Sequence, residues 1–187
     1  MTLDGQHVLI VGGTRGIGRA TVAAARAADA RVTATGRSAA SLARLPDGVA
    51  GRMLDYTDPA AVAALAETLD GVDHLVLSAS DAVAWGPFAD LGEPALRAAF
   101  EAMARVLAVE LAPRRVNTVS PGLTATEAYA GLPDAARAAM FAATAARLPA
   151  GRVGAPDDIA QAILLAIANP FLTGATLDVD GGAHLAR

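Results

Sequence analysis

The 187-residue sequence contains no cysteine and no lysine. Without cysteine there are no disulfides, no thiolate nucleophile and no cysteine-ligated metal. All 15 basic residues are arginine, so any mechanism that needs a lysine ammonium or amine is excluded. The 3 histidines are far apart in the chain, a poor basis for a metal centre. Apolar runs such as residues 162–168 are far too short to cross a bilayer. Asp4 and His7 stand where a secretory signal would have a basic start and then an apolar stretch. The net charge of −4 argues against nucleic acid or an anionic membrane as partner, while leaving room for a local basic pocket. The expectation is a cytoplasmic protein with no nucleic-acid and no membrane partner.

What is present is the composition of a globular protein: 53% hydrophobic and 18% charged residues. The length suits one domain over residues 1–187 with a sizeable core. Short apolar runs alternate with longer alanine-rich ones, the rhythm of βαβ units. Strands are expected at 7–11, 31–36, 51–54, 74–78, 115–119 and 175–179. Helices are expected at 16–28, 38–45, 59–69, 93–112, 134–148 and 156–168. Pro156, followed by Asp157 and Asp158, is a good helix start: proline suits the first position and acids suit the positive dipole end. The fold class is α/β, a doubly wound parallel sheet.

The first expected strand runs straight into Gly12-Gly13-Thr14-Arg15-Gly16-Ile17-Gly18, and a helix follows. In that context the glycines allow a tight turn and close backbone approach to a pyrophosphate. The helix start then offers free N–H groups and a positive dipole. The expectation is a Rossmann-type nucleotide site, the alternative being a glycine-rich βα turn without a ligand. The second strand ends at Gly36-Arg37-Ser38, with an arginine where NAD-selective sites place an acid for the ribose hydroxyl. A guanidinium fork matches a 2′-phosphate, and Arg15 stands where it can flank the same group. The cofactor expected is NADP(H), in preference to NAD(H).

The Gly-x-x-x-Gly-x-Gly spacing resembles that of the short-chain dehydrogenase/reductase family. Leu54-Asp55-Tyr56 is similar to its adenine-contacting aspartate segment. Residues 116–122, Val-Asn-Thr-Val-Ser-Pro-Gly, are similar to its proline-glycine turn beside the nicotinamide. Residues 151–160 and 173–182 resemble its C-terminal segments. The resemblance implies cofactor contacts at Gly12, Thr14, Arg15, Gly16, Ile17, Gly18, Arg37, Ser38, Asp55, Tyr56, Ser78, Ala79, Ser80, Pro121, Gly122 and Thr124. It also implies hydride transfer to or from a small carbonyl or alcohol. Family members assemble as dimers or tetramers; homo-oligomerisation stays open here.

The family's catalytic serine and Tyr-x-x-x-Lys pair have no counterpart. Lysine is absent, and the 2 tyrosines are Tyr56, at the adenine end, and Tyr129, after the proline-glycine turn. Tyr129 and Ser80 are the remaining catalytic candidates. The family's threonine before the first glycine is Val11, which should weaken the hydrogen bonding that pins the turn. Leu96, Phe100, Met103, Leu107 and Leu111 form one helical stripe. Residues 96–100 resemble the start of one family helix, and residues 104–113 the end of the next. About fifty residues separate these in a domain of the family's size. Either a whole αβ period is excised, or the sequence as written omits a segment. Two functional readings follow: an NADP(H)-dependent oxidoreductase with impaired catalysis, or a noncatalytic NADP(H)-binding module or shortened relic. His74 and His184 look like a strand-edge and a tail residue, and Asp178 and Asp180 like turn formers. Intact-mass measurement separates excision from omission: excision gives 18.7 kDa, omission a mass larger by the missing segment.

Overall fold

A computed structural model describes residues 2–79 and 93–185, with the backbone alone over 93–99. The chain divides into two compact units, Met1–Ser80 and Asp81–Arg187.

In the first unit β1 (His7–Val11), β2 (Arg31–Gly36), β3 (Ala50–Met53) and β4 (His74–Leu77) form one parallel sheet in the order β3-β2-β1-β4. Registers such as Leu9 with Thr33 and with Leu75 tie the centre together. β1 is buried along its whole length and β2 from Val32 to Gly36, as continuous apolar runs in a covered parallel sheet should be. β3 is exposed and forms an edge. α1 (Gly16–Ala27) packs Thr21, Val22 and Ala25 inward. It stops where Asp29 takes φ +66, a left-handed geometry that an aspartate tolerates. α2 (Ala39–Leu42) is shorter than expected. Ser38 accepts from the Ser41 N–H as its cap, and tight turns continue to Leu45. α3 (Pro59–Thr68) opens on Asp58, whose carboxylate accepts from the Ala60 N–H.

At the amino end of this sheet the His7 backbone N–H donates to Asp73 at 2.7 Å. The buried His7 ring meets the Thr33 hydroxyl at 2.8 Å, and the His74 ring meets Gln6 at 2.6 Å. Both histidines are tied to structure at the end of the sheet opposite the glycine turn.

In the second unit α4 (Glu93–Glu110) is one 18-residue helix across the junction inferred from sequence. Ala104 is buried, whereas Phe100, Met103 and Leu111 of the expected apolar stripe are exposed. β5 (Thr118–Pro121) pairs in parallel with β6 (Thr176–Val179). α5 (Asp134–Ala145) and α6 (Pro156–Ala168) complete the unit.

β5 starts three residues later than expected, and the cause is Arg115. Its guanidinium donates to the carbonyls of Ala166 (2.7 Å), Ile167 (2.7 Å) and Leu172 (3.0 Å), closing off the last turn of α6. Asn117 donates to Leu172 O and accepts from the Ala175 N–H. Residues 115–117 therefore pin the loop after α6, and the ladder begins only at Thr118. A cation at a helix C-terminus is favourable both for the dipole and for the orphan carbonyls. Replacing Arg115 with Ala should lower unfolding stability by about 2 kcal/mol, read from urea melts. A loss below about 0.5 kcal/mol, the size of an ordinary surface substitution, would show that the carbonyls do not depend on it.

Candidate functional site

The turn after β1 is built by close backbone approaches that only glycine permits. A Cβ on Gly12, at φ +86, would lie 2.7 Å from the Ala79 nitrogen just beyond β4. One on Gly13 would lie 2.7 Å from the Ala34 Cβ on β2, and one on Gly18 would run into the Gly12 carbonyl oxygen. The start of α1 is thereby drawn down onto the carboxyl ends of the strands. Arg15 is the cap residue of α1 and makes no side-chain cap hydrogen bond, and the first turn contains no acid. No acidic side chain of the first turn offsets the positive end of the dipole, an end that favours anions.

Val11 does not leave the turn loose. Thr35, on the neighbouring strand β2, accepts from the Gly12 N–H through its hydroxyl at 3.3 Å and from the Gly13 N–H through its carbonyl at 3.1 Å. The pinning group comes from β2 instead of the residue before the glycine. Nothing in the linear sequence near Val11 signals it.

The other first-unit residues singled out from sequence stand at the same carboxyl edge. Thr14 reaches Gly36 at the end of β2, since a Cβ there would lie 2.7 Å from the Thr14 methyl. Arg37 and Ser38 follow β2 and are exposed. Asp55 and Tyr56 follow β3, where Asp55 accepts from the Thr57 hydroxyl at 2.6 Å and the Thr57 N–H at 3.0 Å. Those bonds, with a smaller contribution from the Arg37 guanidinium, hold the Asp55 carboxyl below its usual range. Arg37 and Asp55, 18 positions apart in sequence, thus share one electrostatic neighbourhood. Ser78 and Ala79 follow β4, with the Ser78 N–H still bonded to Val11 O at 2.9 Å. Ser80 lies outside the described residues.

Pro121, Gly122 and Thr124 belong to the second unit, at the carboxyl end of β5. Gly122 is packed against the last strand: a Cβ would lie 2.6 Å from the Asp180 Cα. The buried Thr124 hydroxyl donates to Gly122 O at 2.9 Å, so its proton serves the turn itself. Tyr129 ends a short 3-10 helix, Glu127–Tyr129, and meets Phe141 edge-on with centroids 5.6 Å apart. Burial pushes the Tyr129 phenol up, so it holds its proton more tightly than a free tyrosine.

The second unit also pairs charged groups: Asp158 and Asp180, read from sequence as a helix-start acid and a turn former, each gain a side-chain partner. Arg152 grips Asp158 through both terminal nitrogens, at 2.6 and 2.9 Å, and Asp158 also accepts from the Ala155 N–H. The Arg152 bond is the main reason the Asp158 carboxyl is held at about 2. This pair fixes the start of α6 beside a cavity of about 140 Å³ lined by Ala150, Arg152, Gly154, Asp158, Val179 and Gly181. Asp180 accepts from the Gly182 N–H, the His184 N–H and the His184 ring nitrogen Nδ1. Burial opposes ionisation of Asp180, but these bonds overcome it and hold the carboxyl at about 2. Among the described residues no group of three or more His, Asp or Glu could hold a metal, and no helix is long and apolar enough to cross a membrane.

The glycine cradle is testable without a ligand. Gly12→Ala should lower stability by about 1–3 kcal/mol, because it combines positive-φ strain with a backbone collision. Gly5→Ala serves as control, since Gly5 has φ +73 but open space around it. A control that loses as much as Gly12→Ala would show that the close approach to Ala79 contributes nothing.

With this geometry in place, comparison with known proteins is informative. A family model described as short chain dehydrogenase matches residues 6–101, and one described as Enoyl-(Acyl carrier protein) reductase matches residues 94–184. The short-chain dehydrogenase/reductase ATR9 of Stachybotrys chlorohalonatus is 44% identical over 87 residues, 46% of this chain and 34% of that protein. The 3-oxoacyl-[acyl-carrier-protein] reductase FabG of Vibrio cholerae is 30% identical over 248 residues, 99% of this chain and all of that one. In the first curated relatives matched, the aligned part is 34% to 44% of their length. A crystal structure of a small-chain dehydrogenase in complex with NADPH superposes with a TM-score of 0.76 at 32% identity, covering 98% of this chain and 100% of that one. A family model over more than half of the sequence and an end-to-end relative agree with the glycine turn and parallel sheet, and this chain belongs to the short-chain dehydrogenase family of oxidoreductases.

Proposed function

We propose that this protein is an NADP(H)-dependent oxidoreductase that reduces or oxidises a small carbonyl or alcohol substrate, with catalysis much weaker than its family's norm. The observation that carries the reading is the β1–α1 turn. There, close-packed glycines and an acid-free helix start stand at the carboxyl ends of the strands, and Arg37, which follows β2 directly, acts electrostatically on Asp55. Arg37 and Arg15 supply the charge for a 2′-phosphate, and Asp55 and Tyr56 the adenine side. The family resemblance assigns Pro121 and Gly122 to the nicotinamide side. The similar structure that holds NADPH supports the choice of cofactor. When bound, the nicotinamide supplies or accepts the hydride. The protein positions it and keeps one face of it toward the substrate. The single-domain organisation and the cytoplasmic location expected from sequence belong to the same proposal.

Two observations support a missing αβ period. The alignment with the Vibrio protein spans 248 residues against 187 here and reaches both ends, so its unmatched positions are internal. α4 runs unbroken through residues 94–101, where the two family matches overlap. With the period goes the tyrosine-lysine pair, and loss of a positioned acid costs about 10²–10⁴-fold in rate. That loss, with the Tyr129 phenol held protonated by burial, favours a second reading in which the protein binds the nucleotide without chemistry.

Isothermal titration should show NADPH binding more tightly than NADH. Arg37→Ala should weaken NADPH by about tenfold to a hundredfold, the contribution of charge-assisted bonds to a phosphate, and NADH by far less. Equal weakening of both nucleotides would remove the 2′-phosphate role. Absence of heat with either would remove the cofactor reading altogether.

A further inference from the structure

Glycine permits the turn after β1 but does not select it. A residue without a side chain takes positive and negative φ about equally, and Gly12 has to hold φ +86. A turn that receives a ligand in one conformation binds it in proportion to the population of that conformation. Some group has to choose, and the side chain of Val11, before the first glycine, has no polar atom to do it.

β2 supplies that group. It is paired on both sides, with β1 as far as Ala34 and with β3 at Thr35 and Gly36, so its carboxyl end has a fixed place in the sheet. Its run Val32-Thr33-Ala34-Thr35 puts two threonines on one face. Thr33 is 4% exposed and Thr35 2%. A hydroxyl buried in a covered strand costs free energy unless it is hydrogen-bonded, and valine has the same shape without that cost. Both hydroxyls are bonded. Thr33 meets the His7 ring at 2.8 Å, and Thr35 accepts from the Gly12 N–H at 3.3 Å. The Thr35 carbonyl takes the next N–H, that of Gly13, at 3.1 Å. One residue thus holds two successive amides of the turn. Hydroxyls on α1 and α2 serve other groups: Thr21 donates to Ile17 O and Ser41 to Ser38 O. The cradle held in this way is one that a Cβ on Gly12, Gly13 or Gly18 would fill, which suits the close approach of a diphosphate.

We propose that the Thr35 hydroxyl is the positioning group for the nucleotide's diphosphate, acting through the Gly12 amide from the neighbouring strand. This rests on the reading of the β1–α1 turn as a nicotinamide-nucleotide site. Thr35 does not touch the ligand; it sets which conformation of the glycines is populated before the ligand arrives. It therefore acts on every ligand that carries the diphosphate, with or without a 2′-phosphate. Arg37 acts the other way, on the 2′-phosphate alone. Every residue in this account belongs to the first unit.

The test uses the full chain. In the unloaded protein, hydrogen exchange followed by NMR should show the Gly12 amide protected. At 3.3 Å the bond is a long one, so Thr35→Val should speed that exchange by about threefold to tenfold, the contribution of one modest hydrogen bond. By titration the same variant should weaken NADPH and NADH alike, by about threefold to tenfold. Adenosine 2′-monophosphate, which has no diphosphate, should change by less than about twofold. Thr35→Ser keeps the hydroxyl and should bind NADPH within about twofold of the wild type. A wild-type Gly12 amide that exchanges as fast as an open one overturns the proposal without any variant. So does a Thr35→Val protein that binds NADPH as the wild type does, which leaves the cofactor reading intact. Equal loss of adenosine 2′-monophosphate also overturns it, because the damage is then general. No binding of NADPH or NADH by the wild type sinks the cofactor reading and this proposal together.

Discussion

The first unit depends on backbone meeting backbone where β1 ends. Gly12 lies against Ala79, Gly13 against Ala34, and Gly18 against the Gly12 carbonyl. A side chain at any of these positions would force the start of α1 away from the strands it covers. That closeness brings a helix dipole to the carboxyl edge of a buried parallel sheet without an acid to neutralise it. Thr35 then fixes the turn through its hydroxyl and carbonyl. The strand that leads into Arg37 therefore also holds the glycine turn.

The second unit is organised by side chains with several partners. Arg115 closes the end of α6, Arg152 and Asp158 set its beginning, and Asp180 ties the chain beyond β6. Each is a charge with several hydrogen bonds to backbone groups or to an opposite charge. The absence of lysine is informative here. Arginine forks reach two carbonyls or both carboxylate oxygens at once, which an ammonium cannot do with the same geometry.

The same absence limits chemistry. The family lowers the pKa of a tyrosine with a lysine beside it, and this chain has neither partner in place. Its Tyr129 lies against Phe141, where burial works in the opposite direction. A hydride acceptor still needs a proton. Of the 3 histidines, two are tied at the amino end of the first sheet.

Much of this was legible in the residues. β1, β2 and α6 have the boundaries read from apolar runs and from the Pro156 start, because strand burial and helix initiation are local signals. The glycine spacing announced the tight turn between β1 and α1, because only a close approach calls for glycine at those positions. Other features depend on partners distant in sequence. Thr35 compensates for Val11 from the adjacent strand, Arg115 delays β5 by reaching to 166–172, and Asp180 orients the ring of His184. The sequence by itself determined the alternation, the glycine turn and the lack of a lysine-assisted tyrosine. Only the tertiary structure decided which polar groups pair, because such pairing depends on distances across the fold that no linear pattern encodes.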